Sequence, residues 1–111
     1  MRVRRPAMKA NNIRAALRGK RKITSKMTWE RHPDGDELLH ILDGEVEVTL
    51  LTDNGSVHVA VGAGSIFVVP RGVWHRQTPQ PVATVLAALP TDHGPVSFAD
   101  DPRKGSDSKR R

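Results

Sequence analysis

The 111-residue sequence predicts an all-β barrel or sandwich with basic ends, and three observations predict it. Between Trp29 and Ala88 short runs place apolar residues at every second position, and Gly, Asn, Asp and Pro separate those runs roughly every 8–12 residues. No stretch between these runs carries the period of a crossover helix. A closed or nearly closed barrel would also remove the exposed edges that so small a sheet protein would otherwise present.

The elements follow in chain order. Residues 1–26 form a basic N-terminal arm, in which Asn12 can cap a short helix over residues 12–19. Ile13, Ala16 and Leu17 would share one face of that helix, Arg14 and Arg18 the other, and Gly19 would stop it. The barrel is expected over 27–101. Trp29 to His32 reads as a strand, and Pro33-Asp34-Gly35 as a turn. Glu37 opens the next strand, with Leu39 and Ile41 following it inward and Leu38, His40 and Leu42 facing out. Glu45 to Leu50 alternates cleanly, and Asp53-Asn54-Gly55 turns the chain into Val57, Val59 and Val61. Gly62 and Gly64 bracket a further turn before Ser65 to Val69, which Pro70 ends. Pro70-Arg71-Gly72 delivers His75 at the head of a strand, and a last strand runs from Val82 to Ala88. Residues 102–111 read as a flexible basic tail.

Length limits the chain to one domain with one core. The absence of cysteine excludes disulfides, thiolate zinc modules and Fe–S clusters, so any metal must rest on imidazole and carboxylate. No apolar run is long enough to span a bilayer, and no signal-peptide core follows Met1, so the expected location is the cytoplasm. The arm is also Arg-rich and acid-poor in the manner of a transit peptide, which alone assigns no compartment. The formal charge of +6 is unevenly spread: residues 1–26 hold ten Lys or Arg and no acid, whereas 27–101 hold three against eleven acids. An acidic body with no Tyr and no basic stripe argues against specific nucleic-acid recognition and leaves the basic ends as solvated arms.

The chemistry concentrates in two segments, Trp29 to Gly44 and Gly64 to His75. Glu30 and His32, two apart on one strand, leave the same face at a spacing that two ligands of one ion can bridge. With Glu37 and His75 they fit a single metal site. Glu30 has a second reading, an ion pair with Arg31, Arg76 or a tail residue, and His32 and His75 have one as hydrogen-bonded interior imidazoles. Gln77 shares the face of His75 and, with Thr84, is a candidate polar group of the pocket. Asp34 and Asp36 shape the turn and orient neighbours. His40 and His58 have outward parity and read as surface or interface residues. His93 reads as a loop residue over a barrel end or at the pocket mouth. Trp29 and Trp74 precede the proposed ligands with opposite parity, which suits packing between sheets or at a dimer seam.

These residues resemble the two motifs of the cupin superfamily, double-stranded β-helix (jelly-roll) barrels. The first motif, HxHxxxxE, six residues and Gly, aligns on Glu30, His32, Glu37 and Gly44. The second, Gly, five residues and Pro-x-Gly-x-x-His, is matched by Gly64, Pro70, Gly72 and His75. Two departures stand out: Glu30 replaces the usual first His, and Pro79 stands where an Asn is usual. The chain is most similar to small single-domain bacterial cupins without an assigned activity. The resemblance implies one divalent transition metal (Fe, Mn, Zn or Ni) on two imidazoles and two carboxylates. It also implies a small-molecule ligand and a homodimer, by sheet extension or through outward apolar residues such as Leu38 and Leu42. Three functions fit: a metal-dependent enzyme on a small acid, sugar or aromatic (dioxygenase, decarboxylase, isomerase or lyase), a non-catalytic ligand-binding or sensory module, and a structural barrel whose metal site Glu30 has abolished.

Overall fold

The computed structural model describes residues 17–89 and 95–104. Seven strands make up its regular structure: β1 (Leu17–Ile23), β2 (Trp29–Glu30), β3 (Glu37–Thr52), β4 (Gly55–Gly62), β5 (Ile66–Val69), β6 (His75–Ala88) and β7 (Val96–Ser97). Among the described residues there is no helix, and so none long and apolar enough to cross a membrane. The helix expected over 12–19 is corrected at its end, because Leu17 to Gly19 belong to β1; residues 12–16 lie outside the described residues. Tertiary pairing outweighs the weak local cap: Lys20 to Ile23 pair residue for residue with Leu86 to Ala83 on β6.

The spine of the fold is the antiparallel pair β3–β6, which runs from Leu38↔Ala88 at one end to Leu50↔His75 at the other. Each end carries different neighbours. At the first end β5 joins β3 and β1 joins β6; at the second, β4 joins β3 and β2 joins β6, with β7 beyond β2. The two halves face one another across one core. Leu39, Ile41, Val69, Ala83, Val85 and Ile23 come from the first half and Val46, Val48 and Val61 from the second.

The ribbon turns the corner between them at residues 42–45, all exposed. Register shifts flank that corner, between Ile41 and Asp43 and between Gly44 and Val46, and inward parity passes from Leu39 and Ile41 to Val46 and Val48. Gly44 has φ +79°, and a Cβ there would run into the carbonyl oxygen of Val82. Only glycine meets both conditions.

Two loops that link the ends of the ribbon, 31–36 and 70–74, are stitched together. Gly72 N–H donates to His32 O at 2.9 Å, and Arg71 N–H donates to Asp36 Oδ1 at 2.8 Å. Asp36, expected to orient neighbours, thus ties the turn after His32 to the turn before His75. The β2 strand is shorter than expected and ends at Glu30, but Arg31 N–H still bonds Pro95 O at 3.0 Å, so the segment to His32 stays held.

The corner carries a clear expectation. Gly44→Ala combines left-handed strain with a backbone clash and should destabilise the fold by about 2 kcal/mol or more. An unchanged urea midpoint for that variant would refute the account of the corner.

Candidate metal centre

Four chemistry-bearing side chains converge where the two ends of the folded ribbon meet. Glu30 on β2 stands directly opposite His75 on β6, His32 follows two residues after Glu30, and Glu37 opens β3. Each of the four offers one donor atom, and these atoms all lie within 4.8 Å of one another. His32, Glu37 and His75 are buried and Glu30 is partly so. The site residues Glu30, His32, Glu37 and His75 are therefore brought together in space, although 45 positions separate the first from the last.

The distances form a tight set around Glu37. Its Oε1 is 2.9 Å from His75 Nε2 and 3.2 Å from His32 Nε2, and Glu30 Oε1 is 3.5 Å from His32 Nε2. The two imidazole rings are tilted by 52° with centroids 5.1 Å apart. His75 Nδ1 lies 3.0 Å from Val73 O, and since a carbonyl only accepts, Nδ1 is the donor and Nε2 points at Glu37. That bond is of the kind that fixes the tautomer of a metal-ligating histidine.

The electrostatics show strong coupling. Burial pushes the Glu37 carboxyl up, but its contacts with His32 and His75 outweigh this and hold it down at about 2. Burial likewise opposes a charge on His32, yet the carboxylates of Glu30 and Glu37 raise it to about 9. Two anionic carboxylates in this space require cations among them.

A divalent ion fits that requirement. Oxygen and nitrogen ligands bound at about 2.0–2.2 Å to one ion stand roughly 3–4 Å from each other. The separations of 2.9, 3.2 and 3.5 Å fall in that range. His32 Nε2, the ring nitrogen nearest both carboxylates, makes a directed hydrogen bond to neither, which leaves it free to ligate a cation held between them.

The other predicted positions separate into two groups. Gln77 is buried and lines a cavity of about 60 Å³ together with Glu37. Ile23, Met27, Val85 and Ala87 give that cavity apolar walls, and Gly19, Lys20 and Arg21 of β1 form its rim. Thr84 is corrected: it is half-buried and out of phase with the buried Ala83 and Val85, so it faces outward, opposite Lys22. His40 is half-buried, and His58 is exposed with Nδ1 3.1 Å from Thr49 Oγ1, in keeping with their outward parity. His93 lies outside the described residues.

Trp29 is buried under the Arg76 guanidinium, 4.2 Å from its ring, and donates through Nε1 to Asp100 O. Trp74 meets Arg31 at 5.4 Å. Both arginines named as alternative partners of Glu30 thus lie over indole rings. The β1 rim was not anticipated by sequence reasoning, although Gly19, Arg21 and Ile23 alternate with Lys20 and Lys22 in a legible period of two.

Comparisons with known proteins agree with this architecture. The sequence is 42% identical over 48 residues, 43% of this chain, to the acireductone dioxygenase of Rhodopseudomonas palustris, in two strains. The match covers 28% of those enzymes' length, so the chain spans only a small part of them. A cupin-2 domain containing protein from Shewanella frigidimarina superposes with a TM-score of 0.57 at 22% identity, over 64% of this chain and 66% of that one. Oxalate oxidase, in complex with the substrate analogue glycolate, does so with a TM-score of 0.59 at 23% identity, over 72% of this chain and 44% of that one. Such identities speak for the jelly-roll fold alone. Residues 22–78, just over half of the sequence, match the cupin domain family, and the chain belongs to that family.

Proposed function

We propose that this cupin is a cytoplasmic, homodimeric metalloprotein that binds one divalent transition metal on Glu30, His32, Glu37 and His75. At that metal it acts on a small organic acid, sugar or aromatic molecule. The observation that carries the reading is the convergence of four donor atoms within 4.8 Å, one of them on Glu37, which also lines a cavity. Fe, Mn, Zn and Ni all suit two imidazoles and two carboxylates. A metal held there would supply a Lewis acid that polarises an oxygen of the bound molecule.

The chain's own groups divide the remaining work. Glu37 touches both imidazoles, Val73 O holds the His75 ring in place, and Ile23, Met27, Val85 and Ala87 limit water in the cavity. Gln77 is the neutral polar side chain facing the same space.

The homodimer rests on an outward apolar face. Leu38, Leu42, Ile66 and Val68 are 37%, 39%, 57% and 48% exposed, and Leu38 pairs with Val68 in register. Apolar side chains grouped in this way on an antiparallel sheet suit a symmetric partner.

Three outcomes test these statements. Purified wild-type protein should contain about one metal per chain by elemental analysis. His75→Ala and Glu37→Ala should each weaken binding about a hundredfold, since structural-site affinities of roughly 10–16 kcal/mol are shared among four ligands. Glu30→Ala should also lose metal; full retention would remove Glu30 from the ligand set.

Protons should compete with the ion. With His32 held at about 9, metal uptake at pH 7 must displace its proton, so calorimetry in buffers of different ionisation enthalpy should register proton release and an affinity that rises with pH. For chelator-treated protein the same groups define a stability window. The Glu37 contribution is present above about 4.5 and lost as pH falls through about 2, and that of His32 is present below about 6.5 and lost as pH rises through about 9. A melting temperature that stays flat from pH 6 to pH 10 would contradict the His32–carboxylate coupling. Finally, Leu38→Lys with Val68→Lys should halve the mass seen by light scattering; an unchanged mass would place any dimer seam elsewhere.

A further inference from the structure

The cavity beside the four-residue cluster is bordered by a strand whose charge the metal hypothesis leaves unused. In antiparallel pairs, directly opposed residues share a face. Arg21 and Ile23 stand opposite Val85 and Ala83, which are buried, so both face inward; Lys20 and Lys22 stand opposite Leu86 and Thr84 and face outward. Arg21 therefore extends along the inner face to the cavity rim, where its side chain is exposed. Gly19, next inward on the same face, carries no side chain to obstruct the opening.

Gln77 provides the second, independent observation. It is 7% exposed, it lines this cavity, and its Oε1 is buried without a hydrogen-bond partner. A buried amide oxygen left unsatisfied carries a penalty that a donor from a bound molecule would relieve. The cavity of about 60 Å³ holds roughly four to six water-sized atoms.

Charge selects the ligand further. Glu30 and Glu37 would balance a divalent ion and leave the loaded centre close to neutral, so an anionic ligand needs another cation near it. Lys20 and Arg21 both border the cavity, but Arg21 is the one on the inward face of β1, and its planar fork suits a carboxylate. Among the described residues no ion pair involves Arg21.

We infer that the cavity is a subsite for a small 2-hydroxycarboxylate, whose carboxylate is held by Arg21 and whose hydroxyl donates to Gln77 Oε1. The inference rests on the metal reading above for the floor of the site and narrows its substrate class. Arg21 and Gln77 act as specificity residues in it.

The test uses the full chain with its metal content measured first, titrated calorimetrically with L-lactate, propionate and lactamide. Wild type should prefer lactate to propionate by about 3–10-fold, the worth of one hydrogen bond. Gln77→Met should abolish that preference while leaving propionate affinity unchanged, which also reports that the variant is folded. Arg21→Gln should weaken lactate and propionate about tenfold and leave lactamide unaffected. Equal binding of lactate and propionate by wild type overturns the role of Gln77, and an Arg21→Gln variant that alters all three ligands alike, or none, overturns the role of Arg21. Stoichiometric metal with no binding of any ligand overturns the subsite and leaves the metal centre standing. Protein that takes up no metal overturns both.

Discussion

Glu37 and His75 stand at opposite ends of the β3–β6 ribbon, since His75 pairs with Leu50. Along a flat strand the thirteen-residue interval from Glu37 to Leu50 would span about 40 Å. Their side chains nevertheless touch at 2.9 Å. Closure of the barrel and assembly of the site are thus one event: the ribbon must fold back on itself for either to exist. The contact is buried at both ends, so the low-dielectric interior strengthens the attraction and makes its loss costly.

That closure depends on backbone features more than on the side chains that react. The exposed corner at 42–45 reverses which parity of β3 faces the core, and the approach of Gly44 to Val82 allows the two halves of the ribbon to lie face to face. Loop-to-loop bonds then set the ligands. The Gly72–His32 and Arg71–Asp36 bonds fix His32 relative to the turn that carries His75, and Val73 O fixes the ring itself. The motif glycines and proline are positions where the backbone conformation, and no side-chain chemistry, decides the geometry.

Much of this could be read from the sequence, and the reasons are specific. Leu39, Ile41, Val46 and Val48 announce themselves by period-two burial, and Glu30, His32, Glu37 and His75 by their distance from Gly44, Pro70 and Gly72. The parity switch at the corner was not legible, because a bulge leaves each flanking run alternating correctly and hides only the phase between them. Thr84 was misplaced by a different cause. Grouped with Gln77 as a pocket residue, it would have to face inward, but the strand keeps Ala83 and Val85 inward and the intervening residue outward. The strand β1 was concealed by composition: Lys20, Arg21 and Lys22 read as a solvated arm, whereas charged residues are what an edge strand carries to discourage further pairing.

The distribution of charge makes a last argument about purpose. Replacing a buried charged cluster with packed apolar side chains is often neutral or stabilising, so stability alone does not call for two carboxylates and two imidazoles in a core built otherwise of Val, Leu, Ile and Ala. It sits at one end of the core, against a cavity, with an unsatisfied amide beside it and an arginine on the rim. The basic end of the chain, which looked like an appendage to an acidic domain, contributes part of the wall of the cavity that Glu37 and Gln77 also line. The acidic body and the basic strand are therefore complementary at this one place. The carboxylates favour a cation at the floor, and the arginine favours an anion above it.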